Sequence, residues 1–276
     1  MSLIEAFILG LVQGATEFIP VSSSGHLVLT PWLLGWESPP LAFDTMVHWG
    51  TLLAVFAVFS GDIWTLLVAG ANGLLVRVGV DRSYDPDQAR LAWAIAVASL
   101  PAALAGYFLA DFFEDLFGKP AAAAVLLLVT AGILSFGEWL SRQERSINRI
   151  GWLDALFVGV AQAFAIMPGI SRSGATISAG LSRGVYREAA ARFSFLLSVP
   201  VVLGAGLFQL IDLVESGGVG DLRGALVVGF VTAAVTGYLC IRWLLKYLAS
   251  RSLYVFAVYC TVFGVFNLLV AVYRGQ

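Results

Sequence analysis

The sequence predicts an all-α polytopic integral membrane protein, an inverted-topology repeat in which each half has one re-entrant helical hairpin plus three transmembrane helices. Three observations predict it: an apolar composition, two pairs of short apolar segments each broken by a polar tip, and a one-sided distribution of basic residues. The 276 residues are 59% hydrophobic and 12% charged, with a mean hydropathy of +0.87. A soluble domain carries about 25% charged residues, so this chain could not cover a water-facing surface. The N-terminus has no basic stretch followed by a small-residue cleavage site, so no removable signal peptide is expected. Cys240 and Cys260 both lie in apolar runs and read as small core residues.

Taken in order, residues 4–36 form the first hairpin: two apolar pieces, 4–18 and 27–36, separated by Pro20-Val-Ser-Ser-Ser-Gly25. Each piece is shorter than the roughly 20 residues that cross the hydrocarbon. Broken backbone at membrane depth is tolerated only where protein buries it or a wet cavity solvates it. A span is expected at 41–59. Residues 63–80, interrupted by Gly70, Asn72, Gly73 and Arg77, read as an interfacial helix and loop. Spans at 91–110 and 121–140 flank an acidic outer loop with Asp111, Glu114 and Asp115. The polar stretch 141–151 is the linker of a single membrane domain, 1–276, whose repeats are 1–140 and 152–276. The second repeat opens with a hairpin at 152–182, broken by Pro168-Gly-Ile-Ser-Arg-Ser-Gly174, and continues with spans at 189–211, 224–243 and 253–273.

The halves also align. At an offset of 149 residues, Gly10, Gln13, Ser22, Ser24 and Gly25 fall on Gly159, Gln162, Ser171, Ser173 and Gly174. Glu17 and His26 instead meet Ile166 and Ala175, so the copies differ in chemistry. Three crossings per half turn the second half upside down, an architecture that places a site where the repeats meet. The charges agree: with Arg172 set aside in a hairpin tip, twelve basic residues, from Arg77 to Arg251, fall on one side, and only Lys119, Arg223 and Arg274 on the other. By the positive-inside rule the basic side is cytoplasmic, and the mouth of the first hairpin opens outside.

The tips hold the chemistry. An ionisable group at bilayer depth is costly and is read as functional and paired, which singles out Glu17 and Arg172; a purely structural Glu–Arg pair is the simpler alternative. Gln13 and Glu17, four apart, share a helix face and could hold Mg²⁺ or Ca²⁺ with help from substrate phosphates. Alternatively, the Gln13 amide bonds backbone freed at the helix break. Ser22, Ser23, Ser24 and Gly25 precede one short helix, and Ser171, Ser173 and Gly174 another. Such helix starts cap themselves or bind anions. The Arg172 fork suits phosphate oxygens, and Thr176 adds a hydroxyl. His26 or Ser23 could then attack phosphorus or move a proton. His48, beside Trp49 and Gly50 in a span, reads as a packing histidine whose replacement leaves activity intact; Asp44 reads as an interfacial cap.

Gln13-Gly-Ala-Thr-Glu17-Phe-Ile-Pro-Val-Ser-Ser-Ser-Gly-His26 resembles the (Glu/Gln)-x-x-x-Glu…Pro-x-Ser-Ser-x-Gly-His signature of the undecaprenyl-diphosphate phosphatases, the bacitracin-resistance family. Pro168-Gly-Ile-Ser-Arg-Ser-Gly-Ala-Thr176 resembles that family's second signature, Pro-Gly-x-Ser-Arg-Ser-x-x-Thr. The resemblance spans essentially the whole chain. It implies a metal-dependent hydrolase of the bacterial inner membrane that converts undecaprenyl diphosphate to undecaprenyl phosphate, the lipid carrier for cell-wall precursors. It implies Glu17 as an essential carboxylate, with Gln13 replacing the family's first Glu and so removing one charge. Ser23 and His26 are the implied catalytic groups, with the attacking one undecided, and Arg172 with Ser171, Ser173 and Thr176 would hold the diphosphate. Expected partners are the polyprenyl diphosphate substrate and membrane lipid, with a homodimer allowed and no nucleic acid. An inverted repeat also suits a transporter or flippase for an anionic lipid or small anion, which needs anion binding but no nucleophile.

Overall fold

A computed structural model describes residues 1–215 and 222–275 of the chain; residues 216–221 and 276, which the sequence assigns to the second repeat, lie outside the described residues. The described residues are helical: α1 Leu3–Phe18, α2 Ser23–Leu34, α3 Leu41–Arg77, α4 Pro86–Phe108, α5 Ala110–Phe117, α6 Pro120–Trp139, α7 Trp152–Phe164, α8 Arg172–Ser182, α9 Arg187–Glu215, α10 Arg223–Leu248 and α11 Tyr254–Arg274. Among them α3, α4, α6, α9, α10 and α11 are long and apolar enough to cross a membrane, at the six places the apolar runs predict. The chain is a multi-pass membrane protein. Its outer faces carry exposed apolar side chains, such as Val258, Val262, Leu269 and Val272 along α11, as a lipid-facing surface requires.

The short helices are the two broken pairs. α1 and α2 have 16 and 12 residues, and α7 and α8 have 13 and 11. Each pair is broken where a proline and a run of hydroxyl residues interrupt the apolar sequence. Packing is exchanged between halves: α1 lies on α10, and α7 on α4; α3 lies on α10, and α9 on α4. The aligned glycines make this close approach possible. A Cβ on Gly10 would stand 2.8 Å from the Gly229 carbonyl of α10, and one on Gly159 would stand 2.5 Å from the Ala98 carbonyl of α4. Small residues let backbones approach where lipid supplies no hydrophobic drive between helices.

Two expectations change. Residues 63–77 are not a separate helix and loop but the second arm of the 37-residue α3, kinked at Phe59 (φ −113°, ψ 19°) just before Ser60-Gly61. Gly70 and Gly73 serve packing there rather than a loop, since Cβ atoms on them would lie 3.2 and 3.3 Å from Ala92 and Ala89 of α4. The acidic segment after α4 folds as the short helix α5, with only Phe113 buried. Within 141–151, Arg145 pairs by a single bridge with Val185, and residues 147–149 form a 3-10 turn.

The arginines that the sequence groups on one side meet their carboxylates together. Arg145 and Arg183 flank Asp154 at 2.6 and 2.7 Å. Arg187 forks onto buried Glu138, which also accepts the Leu253 amide at 3.0 Å. Arg192 reaches Asp62 at 3.0 Å. These pairs tie α3, α6, α7, α8, α9 and α11 together.

Candidate active site

The first tip forms because α1 ends at Phe18, Pro20 cannot continue it, and Ser22 adopts φ +73°. A positive φ at a non-glycine residue is strained and persists only where surroundings hold it. Here His26 holds it: its backbone amide and its Nδ1 both donate to the Ser22 carbonyl, at 3.2 and 2.7 Å. The Ser22 hydroxyl accepts the Gly25 amide at 3.2 Å and lies 3.3 Å from the Ser24 hydroxyl. The second tip repeats this cap. The Ser171 hydroxyl accepts the Gly174 amide at 3.0 Å and lies 3.2 Å from the Ser173 hydroxyl. Gly169 takes φ +104°, where a Cβ would also meet the Ala123 carbonyl at 2.3 Å, so only glycine fits. Thr130 of α6 fastens this tip, donating to the Gly169 carbonyl at 2.8 Å and accepting the Ser171 amide at 3.0 Å.

The tips touch. A Cβ on Gly25 would stand 3.0 Å from Gly169 Cα. The first residues of α2 and α8 then converge on one carboxylate. Ser23 donates to Glu17 Oε2 at 2.5 Å, and Arg172 Nη2 donates to Oε1 at 2.7 Å. Gln13 Nε2 donates to Oε2 at 3.1 Å from one turn earlier on α1. Glu17 is thus held by side chains of the first residues of α2 and α8, buried with its charge balanced by one guanidinium. Two polar atoms beside it are buried without a hydrogen-bond partner: Arg172 Nη1 and Gln13 Oε1. One is a cationic donor and the other an oxygen acceptor.

Of the residues singled out in the sequence, Gln13, Glu17, Ser23 and Arg172 are in direct contact. Ser22, Ser24, Gly25, Ser171, Ser173 and Gly174 form the two caps beneath them. Thr176 points away: its hydroxyl donates to the Arg172 carbonyl at 2.8 Å and meets Ser194 of α9 at 2.7 Å. His26 is 5% exposed, with its second ring nitrogen 2.7 Å from the Tyr259 hydroxyl and its ring stacked on Phe263 and Tyr259. Both nitrogens are therefore engaged in holding the tip to itself and to α11.

His48 is not the packing residue the sequence suggests. Its side chain is 34% exposed and its Nε2 lies 3.9 Å from Glu17 Oε2, because α3 passes directly beside the first tip. Asp44 does not cap α3, whose N-cap is Pro40, and Asp44 Oδ1 is buried without a partner. Thr130 and Tyr259 carried no signal in the sequence. A threonine or tyrosine inside an apolar span has no pattern that reveals its partner.

A family model described as bacitracin resistance protein BacA matches residues 6–266. The chain belongs to the BacA family. Curated relatives match it over nearly their whole length. A protein named undecaprenyl-diphosphatase from Thermomicrobium roseum is 43% identical over 277 residues, covering 98% of each chain. One of the same name from Desulforudis audaxviator is 41% identical over 275 residues, covering 100% of each. A third from Methanosphaera stadtmanae is 41% identical over 277 residues, covering 99% of each.

Among the described residues no group of three or more His, Cys, Asp or Glu side chains is placed to hold a metal ion. Glu17 and Gln13 are the oxygen donors that the sequence singles out for a cation. The unpartnered Gln13 Oε1 beside Glu17 fits a hard divalent cation that takes most of its shell from phosphate and water.

Proposed function

We infer that the protein hydrolyses undecaprenyl diphosphate to undecaprenyl phosphate and phosphate, recycling the lipid carrier of cell-wall synthesis and conferring bacitracin resistance. One observation carries the reading to these residues: the buried, unpartnered arm of Arg172 belongs to the guanidinium that pairs with Glu17, the carboxylate that also accepts the Ser23 hydroxyl, so a phosphate donor and an activated hydroxyl stand on one carboxylate. The named relatives, alike over their whole length, support the substrate.

Ser23 is the nucleophile in this mechanism. Its proton passes to Glu17 Oε2 while Oγ bonds to the terminal phosphorus; the anhydride P–O bond breaks and undecaprenyl phosphate leaves. Water then attacks the seryl phosphate, and Ser23 regains its proton as phosphate departs. Arg172 Nη1 and the starts of α2 and α8 face the charge that develops, the largest contribution in most such sites. Because Glu17 and Arg172 neutralise each other, the anionic substrate needs further positive charge. Mg²⁺ or Ca²⁺ held by Glu17 and Gln13 would supply it and polarise the phosphoryl oxygens. His26 acts by fixing Ser22 rather than by attack.

The architecture belongs to the same reading. The 149-residue alignment and the exchanged packing of α1 on α10 and α7 on α4 support two inverted repeats, 1–140 and 152–276, in one membrane domain. The broken pairs 4–36 and 152–182 are its re-entrant hairpins, meeting tip to tip. The basic side lies in the cytoplasm of a bacterial inner membrane, and the pocket opens to the outer face. A transporter or flippase is disfavoured, since transport has no use for a serine bound to a carboxylate.

The test is phosphate release from undecaprenyl diphosphate by the purified full chain, with and without EDTA. Release that EDTA abolishes and Mg²⁺ or Ca²⁺ restores is the expected result. No release with Mg²⁺, Ca²⁺ or Mn²⁺ would overturn the assignment.

A further inference from the structure

Beside Glu17 stands an imidazole that the mechanism above leaves unused. The Nδ1 of His48 lies 2.7 Å from the Asp44 carbonyl. A carbonyl only accepts, so Nδ1 carries the proton, and in the neutral ring Nε2 keeps its lone pair. That nitrogen has no hydrogen-bond partner among the described residues and faces Glu17 Oε2 at 3.9 Å. The distance is too long for a direct hydrogen bond but lets one oxygen atom touch both groups. The same Oε2 receives the Ser23 hydroxyl at 2.5 Å. The ring is 34% exposed and the carboxylate 6%, so His48 lies on the open side of the reacting pair. The histidine of the sequence signature, His26, has both nitrogens committed elsewhere.

The geometry points to His48 as the residue that holds the attacking water of the second step. This inference rests on the hydrolase reading and adds a residue to it. Water bound between His48 Nε2 and Glu17 donates one hydrogen bond to the imidazole, which aims its oxygen at the seryl phosphorus. As the O–P bond forms and the P–Oγ bond of Ser23 breaks, Glu17 returns the proton it took to Ser23 Oγ. The proton of the water passes to Glu17 and then to the departing phosphate. His48 orients the water and is not consumed, a role that any side chain with an acceptor at that place can fill, as a glutamine does in GTP hydrolysis.

The first step should then proceed without His48, and the second should not. We expect H48A to lower kcat about 100-fold and KM by a similar factor, so that kcat/KM, which reports the first step, stays within a few-fold of the unsubstituted protein. It should still release one equivalent of undecaprenyl phosphate per protein in a rapid burst, and phosphorylated Ser23 should accumulate in its peptides by mass spectrometry. H48Q, whose amide oxygen can accept from water, should restore kcat to within about tenfold. Full kcat in H48A would overturn the inference while leaving the hydrolase intact. So would a slow H48A without burst or phosphoserine, or an H48Q as slow as H48A. An unsubstituted protein that releases no phosphate would instead sink the hydrolase reading itself.

Discussion

Arg172 and Glu17 join the two halves, so a double-mutant cycle on them separates a catalytic pair from a structural clasp. In R172A the Glu17 carboxylate keeps Ser23 and Gln13 at 2.5 and 3.1 Å but loses its only guanidinium, at 2.7 Å. Stranding one charge of a buried pair costs about 3–5 kcal/mol. For a chain of this size that lowers a thermal midpoint by roughly 6–20 °C. Replacing both members, E17Q with R172M, removes both charges together, and the midpoint should return to within about 1–2 kcal/mol of the starting protein. Activity should not return. Loss of the Arg172 donor alone costs about 10²–10³ in kcat, and loss of Glu17 removes the acceptor of the Ser23 proton. The measurements are thermal unfolding in detergent, followed by intrinsic fluorescence, and phosphate release on the same samples. A double variant that recovers activity along with stability would refute the reasoning, because the pair would then be only a clasp between hairpins.

Three further outcomes follow from the same contacts. S23A should lose at least about 10³-fold in activity while S24A loses less than about tenfold, since only Ser23 touches Glu17; equal losses in phosphate release would show that the run acts only as a cap. T130V should leave the Gly169 carbonyl and Ser171 amide without their partner, costing about 1–3 kcal/mol in the thermal midpoint, whereas an unchanged midpoint would mean the second tip is held elsewhere. Asp154 sits at the start of α7, outside the spans. Burial alone would raise its pKa, but Arg145, the Gly151 amide and Arg183 together hold it at about 2. A carboxyl depressed in the folded state stabilises above its unfolded value, near 4, and loses that contribution as pH falls towards 2. With half-exposed arginines as partners, the contribution is roughly 1–2 kcal/mol. D154N should therefore narrow the gap in midpoint between pH 7 and pH 3, and an unchanged gap would remove Asp154 from the acid response.

Membrane class, six spans, two broken pairs and the residue content of both tips were legible along the chain. Apolar run length, proline and local capping are properties of a few neighbouring residues, and lipid makes them decisive by denying the backbone any other partner. Ser22 and Ser171 could be read as caps for that reason, and Glu17 and Arg172 as a pair because no other charges lie at the tips. Residues 63–77 were misread because a glycine that permits close packing on α4 looks the same in sequence as one that ends a helix. His48 and Thr130 were beyond reach for a different reason. Their roles depend on which helix passes beside which tip, a matter of contacts between elements far apart in the chain. His26 shows the converse, a motif residue whose work is set by Tyr259 and Phe263 across 233 and more positions. The sequence by itself determined the two tips and what each contains. Only tertiary packing decided that they meet at one carboxylate, and that the imidazole beside it belongs to His48.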